Sequence, residues 1–307
     1  MQPPTAARRG SHAPARRGPI RRARSALAVT LTGMAASFSL CAPTSSAAAP
    51  DVLHVGQPLP RFDRLKAGER RYVRYKETGE RRMILDTWVR TVSFEVRDGK
   101  RQLHITQQWD EATEKRLIVN QDAWFEAGTF RPITQVKRID REGNIQLGGY
   151  RFLPDRIVGM AELAGNLRKD FSVPAAEPAY NFETDMELMQ TLPLGPGYEA
   201  SIVFYDPAPG AEPPKRYRFR VVGSEKAAPL NGPAVDCWVV TSEDEGPSPV
   251  RWWYAKDSQV LVREEGRLPD GALLVKALAT ADALAPPRSS PRARGNHSAH
   301  ARPRAQV

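Results

Sequence analysis

Few side chains in the middle of this sequence are equipped for covalent or metal chemistry. Away from the two ends of the chain there are two histidines, His54 and His104, and one cysteine, Cys237. That supply cannot build a three-histidine metal centre or a cysteine-rich zinc site. A serine nucleophile would have to recruit His104 or His54, and no G-x-S-x-G elbow announces one. Cys237 could pair with His104, but no motif surrounds either. Its neighbours, Val235-Asp236-Cys237-Trp238-Val239-Val240, have the pattern of a buried, inert thiol. His104 stands between Leu103 and Ile105 and reads as a solvated histidine on the polar face of a strand.

Carboxylates cluster twice. Glu183, Asp185 and Glu187 crowd the start of a helix and read as charge favoured at its positive end. Glu243-Asp244-Glu245 reads as a solvated acidic turn. Glycoside hydrolysis needs two carboxylates at a fixed separation, and a chain with 35 acidic residues always offers some pair. Gly148-Gly149 and Gly195-Pro196-Gly197 lack the strand-to-helix setting of a phosphate loop. No catalytic residue, metal or cofactor is expected from these patterns, although a hydrolase acting on envelope material stays open as an alternative.

Binding chemistry is better represented. The six tryptophans, Trp88, Trp109, Trp124, Trp238, Trp252 and Trp253, all fall on or beside expected strands. Trp252 and Trp253 are adjacent, so on a strand they must face opposite sides. Met83-Ile84-Leu85 and Leu117-Ile118-Val119 are likewise apolar on both faces, and such a sheet wants cover on both. The expectation is a curved sheet with an apolar concavity, partly lidded by residues 182–192. Its candidate ligand-binding residues are Trp252, Trp253, Tyr254, Phe182, Met186 and Met189. A closed β core without a cavity would bury the same residues.

The elements that must position these residues follow from alternation and turn signals. Strands are expected over Arg71–Lys76, Met83–Val96, Leu117–Val119, Phe130–Arg138 and Ile145–Phe152. Asp98-Gly99 turns the second of these into a returning strand through Leu103, Ile105 and Trp109. Residues 155–173 fit a short helix or two strands equally. Thr184-Asp185-Met186-Glu187 fits a capping box, Phe182, Met186 and Met189 share a face, and Pro193 ends the helix. A meander follows over Ala200–Tyr205, Lys215–Val222, Val235–Thr241, Val250–Ala255, Gln259–Glu264 and Leu273–Ala279. The fold class is mainly β: one curved antiparallel sheet, half-barrel-like, of about ten strands, with one short helix as lid.

Charge and composition set the boundaries. The net charge of +10 divides into +7 for the first 50 residues and +4 for the last 27, leaving −1 for the middle. A near-neutral domain does not fit a phosphate backbone, so nucleic acid is excluded as a partner. Seven arginines precede an uncharged apolar run and then Ser46-Ala47-Ala48-Ala49, the three-part pattern of a secretory signal peptide over residues 1–48. In Phe38-Ser39-Leu40-Cys41, Leu40 stands where lipidation motifs carry a small residue; lipidation of Cys41 stays open beside cleavage. Retention as an anchor would need about 20 strongly apolar residues, and Thr, Ser and Gly dilute this run. Residues 51–280 are expected as a single β-rich domain in the periplasm or cell envelope. Residues 281–307, rich in Pro, Arg, Ser and Ala, are expected as a disordered basic tail able to touch anionic envelope polymers or lipid.

Three stretches carry a resemblance. They are Met189-Gln190-Thr191-Leu192-Pro193-Leu194 with Gly197-Tyr198; Arg220-Val221-Val222-Gly223-Ser224-Glu225 with Gly232; and Trp253-Tyr254-Ala255-Lys256 running to Val262-Arg263-Glu264. They resemble a family of exported, β-rich bacterial proteins known only as a domain of unknown function. That family in turn resembles the outer-membrane lipoprotein-sorting proteins, whose half-open barrel holds acyl chains in a concave sheet under a helix. The resemblance covers residues 180–280, and 70–160 by general pattern. It implies the half-barrel fold, the envelope compartment, and a lipid or lipidated partner, and it transfers no catalytic residue. The expected function is therefore a non-enzymatic envelope protein that binds a lipid, acyl chain or lipidated partner, with an assembly factor that docks through its sheet edge as the remaining alternative.

Overall fold

The computed structural model describes residues 49–111, 117–207, 212–242 and 249–284. The acidic run from Glu243 to Glu245, the signal segment and the end of the tail lie outside the described residues. Among the described residues all strands join one sixteen-stranded sheet. Its first part holds β1 (Asp51–Val52), β2 (Gly68–Thr78), β3 (Arg81–Arg97), β4 (Lys100–Glu111), β5 (Leu117–Glu126), β6 (Pro132–Arg141), β7 (Asn144–Phe152), β8 (Arg156–Gly159) and β9 (Ser172–Pro174). The chain then forms β10 (Tyr180–Asn181) and the helix α1 (Asp185–Met189). The second meander is β11 (Glu199–Tyr205), β12 (Lys215–Ala227), β13 (Val235–Ser242), β14 (Arg251–Ala255), β15 (Leu261–Arg267) and β16 (Leu273–Leu278).

The two meanders are joined at the middle of the sheet, where β16 pairs antiparallel with β2 from Leu273 opposite Glu77 to Leu278 opposite Tyr72. The order runs β1, β11 to β16, then β2 to β9, with β10 beside β1 on the outer side of β11. Asp98 and Gly99, both at positive φ (52° and 71°), make the tight turn between β3 and β4 that the sequence signals.

Strict alternation explains which residues go inside. On β3, Asp86, Trp88, Arg90 and Val92 are buried, while Thr87 and the other intervening residues are less so. On β4 the inner residues are Leu103, Ile105 and Gln107, and on β5 Val119, Gln121, Ala123 and Phe125. The main core joins Trp88, Val92, Leu103, Ile105, Ala123 and Phe125 of these to Ile202, Phe204, Phe219, Val240, Trp252 and Tyr254 from the second meander. Residues 53–65 add Leu53, Leu59 and Leu65, and α1 adds Met186, Leu188 and Met189. The helix therefore lies within the curl of the sheet, with four of its five residues buried.

The sheet does not close by hydrogen bonds. Val203 and Tyr205 on β11 alternate with Ile202 and Phe204, which belong to the main core, so they project from the opposite face. Tyr150, Ile157 and Val173 of β7, β8 and β9 pack onto that face, with Tyr150 and Tyr205 ring centroids 6.3 Å apart. The last strands thus lap over the first strand of the second meander, sealed by aromatic side chains. The stretch 155–173 resolves into β8, a turn segment and β9. Asn166 holds the turn by donating to the carbonyls of Gly149 and Met160 and accepting from the Gly149 N–H, each at 3.0 Å. Such a side-chain bridge has no periodicity, which is why alternation did not decide this region.

Two expectations change. The capping box does not form: the Thr184 hydroxyl donates to the Asn181 carbonyl (3.0 Å), and Glu187 turns instead to a buried arginine. A carboxylate at 1% exposure gains more from a guanidinium than from a backbone amide. The strand number also rises to sixteen because β1, β8, β9 and β10 have only two to four residues, too few to show alternation. Residues Ala281–Leu284 form a 3-10 turn, and Ala283 and Leu284 pack against the core. Cys237 is fully buried and unpaired, and burial pushes its thiol up to about 11.

Candidate functional site

The inner face of the first meander carries a row of polar residues placed by register alone. Arg70 stands opposite Arg90, Arg90 opposite Gln107, Gln107 opposite Gln121, and Gln121 opposite Lys137. All but Lys137 are buried. Buried charge of this kind calls for partners, and residues 183–187 supply them to Arg90, Gln107 and Lys137, whereas Arg70 donates to the Lys66 carbonyl at 3.3 Å. Arg90 donates to both Glu187 carboxylate oxygens (2.8 and 2.5 Å), to the Gln107 side-chain oxygen (2.6 Å) and to the Glu183 carbonyl (3.1 Å). Burial alone would drive this guanidinium toward neutrality, but the adjacent Glu187 charge and hydrogen bonds more than offset it and raise its pKa. Lys137 donates to Glu183 at 2.5 Å, and Gln135 donates to the other Glu183 oxygen. Asn181 closes the network by donating to Gln135 at 2.6 Å.

Beside this network is a half-enclosed cavity of about 220 Å³. Trp252, Val250, Phe182 and Met186 form an apolar wall, and Trp88 and Trp109 stack at 4.3 Å on the facing strands. Arg90, Gln107, Glu183, Asp185, Glu264 and Lys276 supply the polar lining. Lys276 donates to Glu264 at 2.6 Å and places its Nζ 4.2 Å from the Trp88 ring centroid. Lys137 sits likewise 4.9 Å from Trp109, so both outer faces of the indole pair carry an ammonium. Asp185 accepts one hydrogen bond, from the Met186 N–H at 2.7 Å. Burial pushes its carboxyl up to about 7, with Glu264 adding to the rise and Lys276 and Arg90 opposing it.

The residues singled out by sequence separate here. Trp252, Phe182 and Met186 line the cavity. Tyr254 and Met189 lie deeper in the main core. Trp253 faces the other way, in a separate cluster with Cys237, Val239 and Val262, where its indole N–H donates to Glu225 at 2.9 Å under Arg251. The two adjacent tryptophans do take opposite faces. The concave face is apolar along β11 to β14, while along β2 to β6 a charged and amide-rich row crosses its apolar residues, which the expectation of an apolar concavity did not include.

The family described as "Protein of unknown function (DUF3108)" matches residues 75–279, two thirds of the chain. The chain belongs to the DUF3108 family. A β-barrel-like protein of another domain of unknown function, DUF1849, from Brucella abortus is 9% identical with a TM-score of 0.46, over 69% of this chain and 95% of its own. A Parabacteroides distasonis protein described as a "putative lipoprotein" is 13% identical with a TM-score of 0.30, over 73% of this chain and 99% of its own. No curated protein matches.

Every cavity-lining residue falls within the DUF3108 match. Outside the six candidate residues, the lining holds Trp88 and Trp109, named only as strand tryptophans, Glu183 and Asp185, read as helix-end charge, and Arg90, Gln107, Val250, Glu264 and Lys276. A signal existed for two of them: Arg90 is in phase with Trp88 and Val92, and Lys276 with Leu278, so each charge sits on the buried face of its strand. His104 takes the polar face expected of it, but its side chain is covered, at 15% exposure, rather than solvated. Its ring nitrogens face Glu95 (3.2 Å) and Asp122 (2.7 Å), and its ring stacks on Trp124 at 3.9 Å. Burial opposes its charge, but the bonds and charge of Asp122 and then Glu95 prevail and raise its pKa. With both nitrogens facing carboxylates, the charged form of this histidine is favoured and neither nitrogen is left open to a substrate. Among the described residues no group of acids, histidines and cysteines could hold a metal ion.

Proposed function

We propose that this DUF3108 chain is a non-enzymatic, exported cell-envelope protein that holds a small amphiphilic ligand, such as a lipid headgroup or the end of an acyl chain, in the cavity between its two meanders. The observation that carries the reading is the two-sided lining: Trp252, Phe182, Met186 and Val250 against Asp185, Glu264 and Lys276. A volume of about 220 Å³ lies below the usual range of roughly 300–1,000 Å³ for whole drug-sized ligands. It suits one end of an amphiphile rather than a complete diacyl lipid. The basic and apolar N-terminal 48 residues support export.

Native mass spectrometry on protein exported to the periplasm and purified without detergent tests this, followed by organic extraction. A co-purifying amphiphile near one per chain is expected. A clean apo mass, together with no uptake of a fluorescent fatty-acid probe, overturns the reading.

A further inference from the structure

The cavity's charges can be matched one by one. Lys276 pairs with Glu264 at 2.6 Å, Arg90 with Glu187 at 2.5 Å, and Lys137 with Glu183 at 2.5 Å. Arg74, further along the inner face, is held by both oxygens of Asp86, and Arg70, opposite Arg90 but outside the cavity lining, donates to the Lys66 carbonyl. Of the charges that line the cavity, Asp185 is left over. Among the described residues it has no ion pair, only the Met186 amide. A filled cavity would then enclose one unmatched carboxylate, and enclosing an unpaired charge is among the costliest things a protein interior can do. An anionic occupant would worsen that imbalance, and a neutral one would leave it. A cationic occupant removes it. The walls also offer a cation the aromatic rings of Trp252 and Phe182.

We infer that the cavity is a site for a small organic ammonium ion, its charge set against Asp185 and its alkyl part among Trp252, Phe182 and Val250. This deepens the amphiphile reading and rests on it. The ammonium is either a lipid headgroup or a free amine. The groups that face Asp185 are Lys276 from β16, Glu264 from β15 and Arg90 from β3, with Tyr254 from β14 also coupled to it. Because burial holds the Asp185 carboxyl near 7, an incoming ammonium must displace its proton in mildly acidic solution.

The test is calorimetry on the chain lacking residues 1–48, with n-butylammonium as probe and n-butanol as its neutral counterpart. Butylammonium should bind at pH 8 and weaken toward pH 5.5. At pH 6 it should release a proton, read as a binding heat that depends on the buffer. Asp185→Asn should weaken it by about tenfold or more, the scale of losing one partner of a desolvated charge pair. Proton release is measured on the unmutated protein, so the result does not hang on the variant's folding. Equal binding of butanol and butylammonium, or no effect of Asp185→Asn in a variant that unfolds cooperatively, overturns the inference and leaves the cavity as a binding site. Uptake of the fatty-acid probe without butylammonium binding does the same. Failure of all three probes overturns both readings. With the amine bound, preference for vesicles containing phosphatidylethanolamine over phosphatidylglycerol alone assigns the ammonium to a headgroup, and no preference assigns it to a free amine.

Discussion

Asp185 and His104 are both shifted upward in pKa, for opposite reasons, and they give the stability of this protein two separable pH dependences. Asp185 is raised by loss of solvent, from 3.8 to about 7. The folded state then holds a proton that the unfolded state has released, so its contribution to stability is full below pH 4 and is lost as pH rises through 7. Asp185→Asn keeps the shape and removes the proton. Urea titrations at pH 4.5 and 8 should show the variant gaining up to roughly 3 kcal/mol on the wild type across that interval. His104 is raised because two carboxylates outweigh its burial. Its contribution is full below its unfolded pKa of 6.5 and disappears as pH passes the raised folded value. At the acid end it is lost as pH falls through the lowered Asp122 value. His104→Gln should therefore cost about 1 kcal/mol or less, as for other partly exposed pairs, near pH 5.5, and less once the pH passes the folded value. Proton NMR of the imidazole should place its midpoint above 6.5. His104 was legible from sequence because Leu103 and Ile105 fix its face. Asp185 was read as helix-end charge because nothing local reveals that a helix will be swallowed by its own sheet.

At the scale of elements, α1 and the turn before it are held less by caps than by charge, Glu187 of α1 pairing with Arg90 of β3 and Glu183 of the turn with Lys137 of β6. Glu187→Ala leaves the Arg90 guanidinium enclosed at 1% exposure without its carboxylate. Denaturant unfolding should report a loss of about 3–5 kcal/mol. The double change Arg90→Met with Glu187→Leu should recover most of that, since a matched apolar pair needs no counter-charge. If the single and double variants lose the same amount, the ion pair is not what docks the helix. The long strands could be read from alternation and from turns such as Asp98-Gly99, because each such signal is local. The polar row from Arg70 to Lys137 could not, because it exists only once β2 to β6 fall into register. The short strands β1, β8, β9 and β10 depend on what they lie against, and their own residues say little.

At the scale of the molecule, the folding unit is larger than the family match. Residues 75–279 omit Leu53, Leu59, Leu65 and Tyr72, all of them in the main core. A chain beginning at residue 75 also loses residues 68–74 of β2, which pair with residues 86–92 of β3. Circular dichroism and cooperative thermal unfolding should show that residues 49–284 fold and residues 75–279 do not. A cooperative transition for the shorter chain would show that residues 53–72 are dispensable cover. The sheet's edges are also unsuited to recruiting another strand: β1, β10 and β9 have two, two and three residues, and β9 ends in Pro174, which has no amide hydrogen.

The pairing of β16 with β2 sets a clock. Tyr72 and Leu278 are partners across the sheet but are separated by about 200 residues of chain. A ribosome adding roughly 5–20 residues per second makes the second about 10–40 s after the first. Throughout that interval β2 has β3 on one side and an empty ladder on the other, and the cavity between the meanders has only one of its walls. Until its last strand arrives, the nascent chain has neither a finished interior nor anything to bind with.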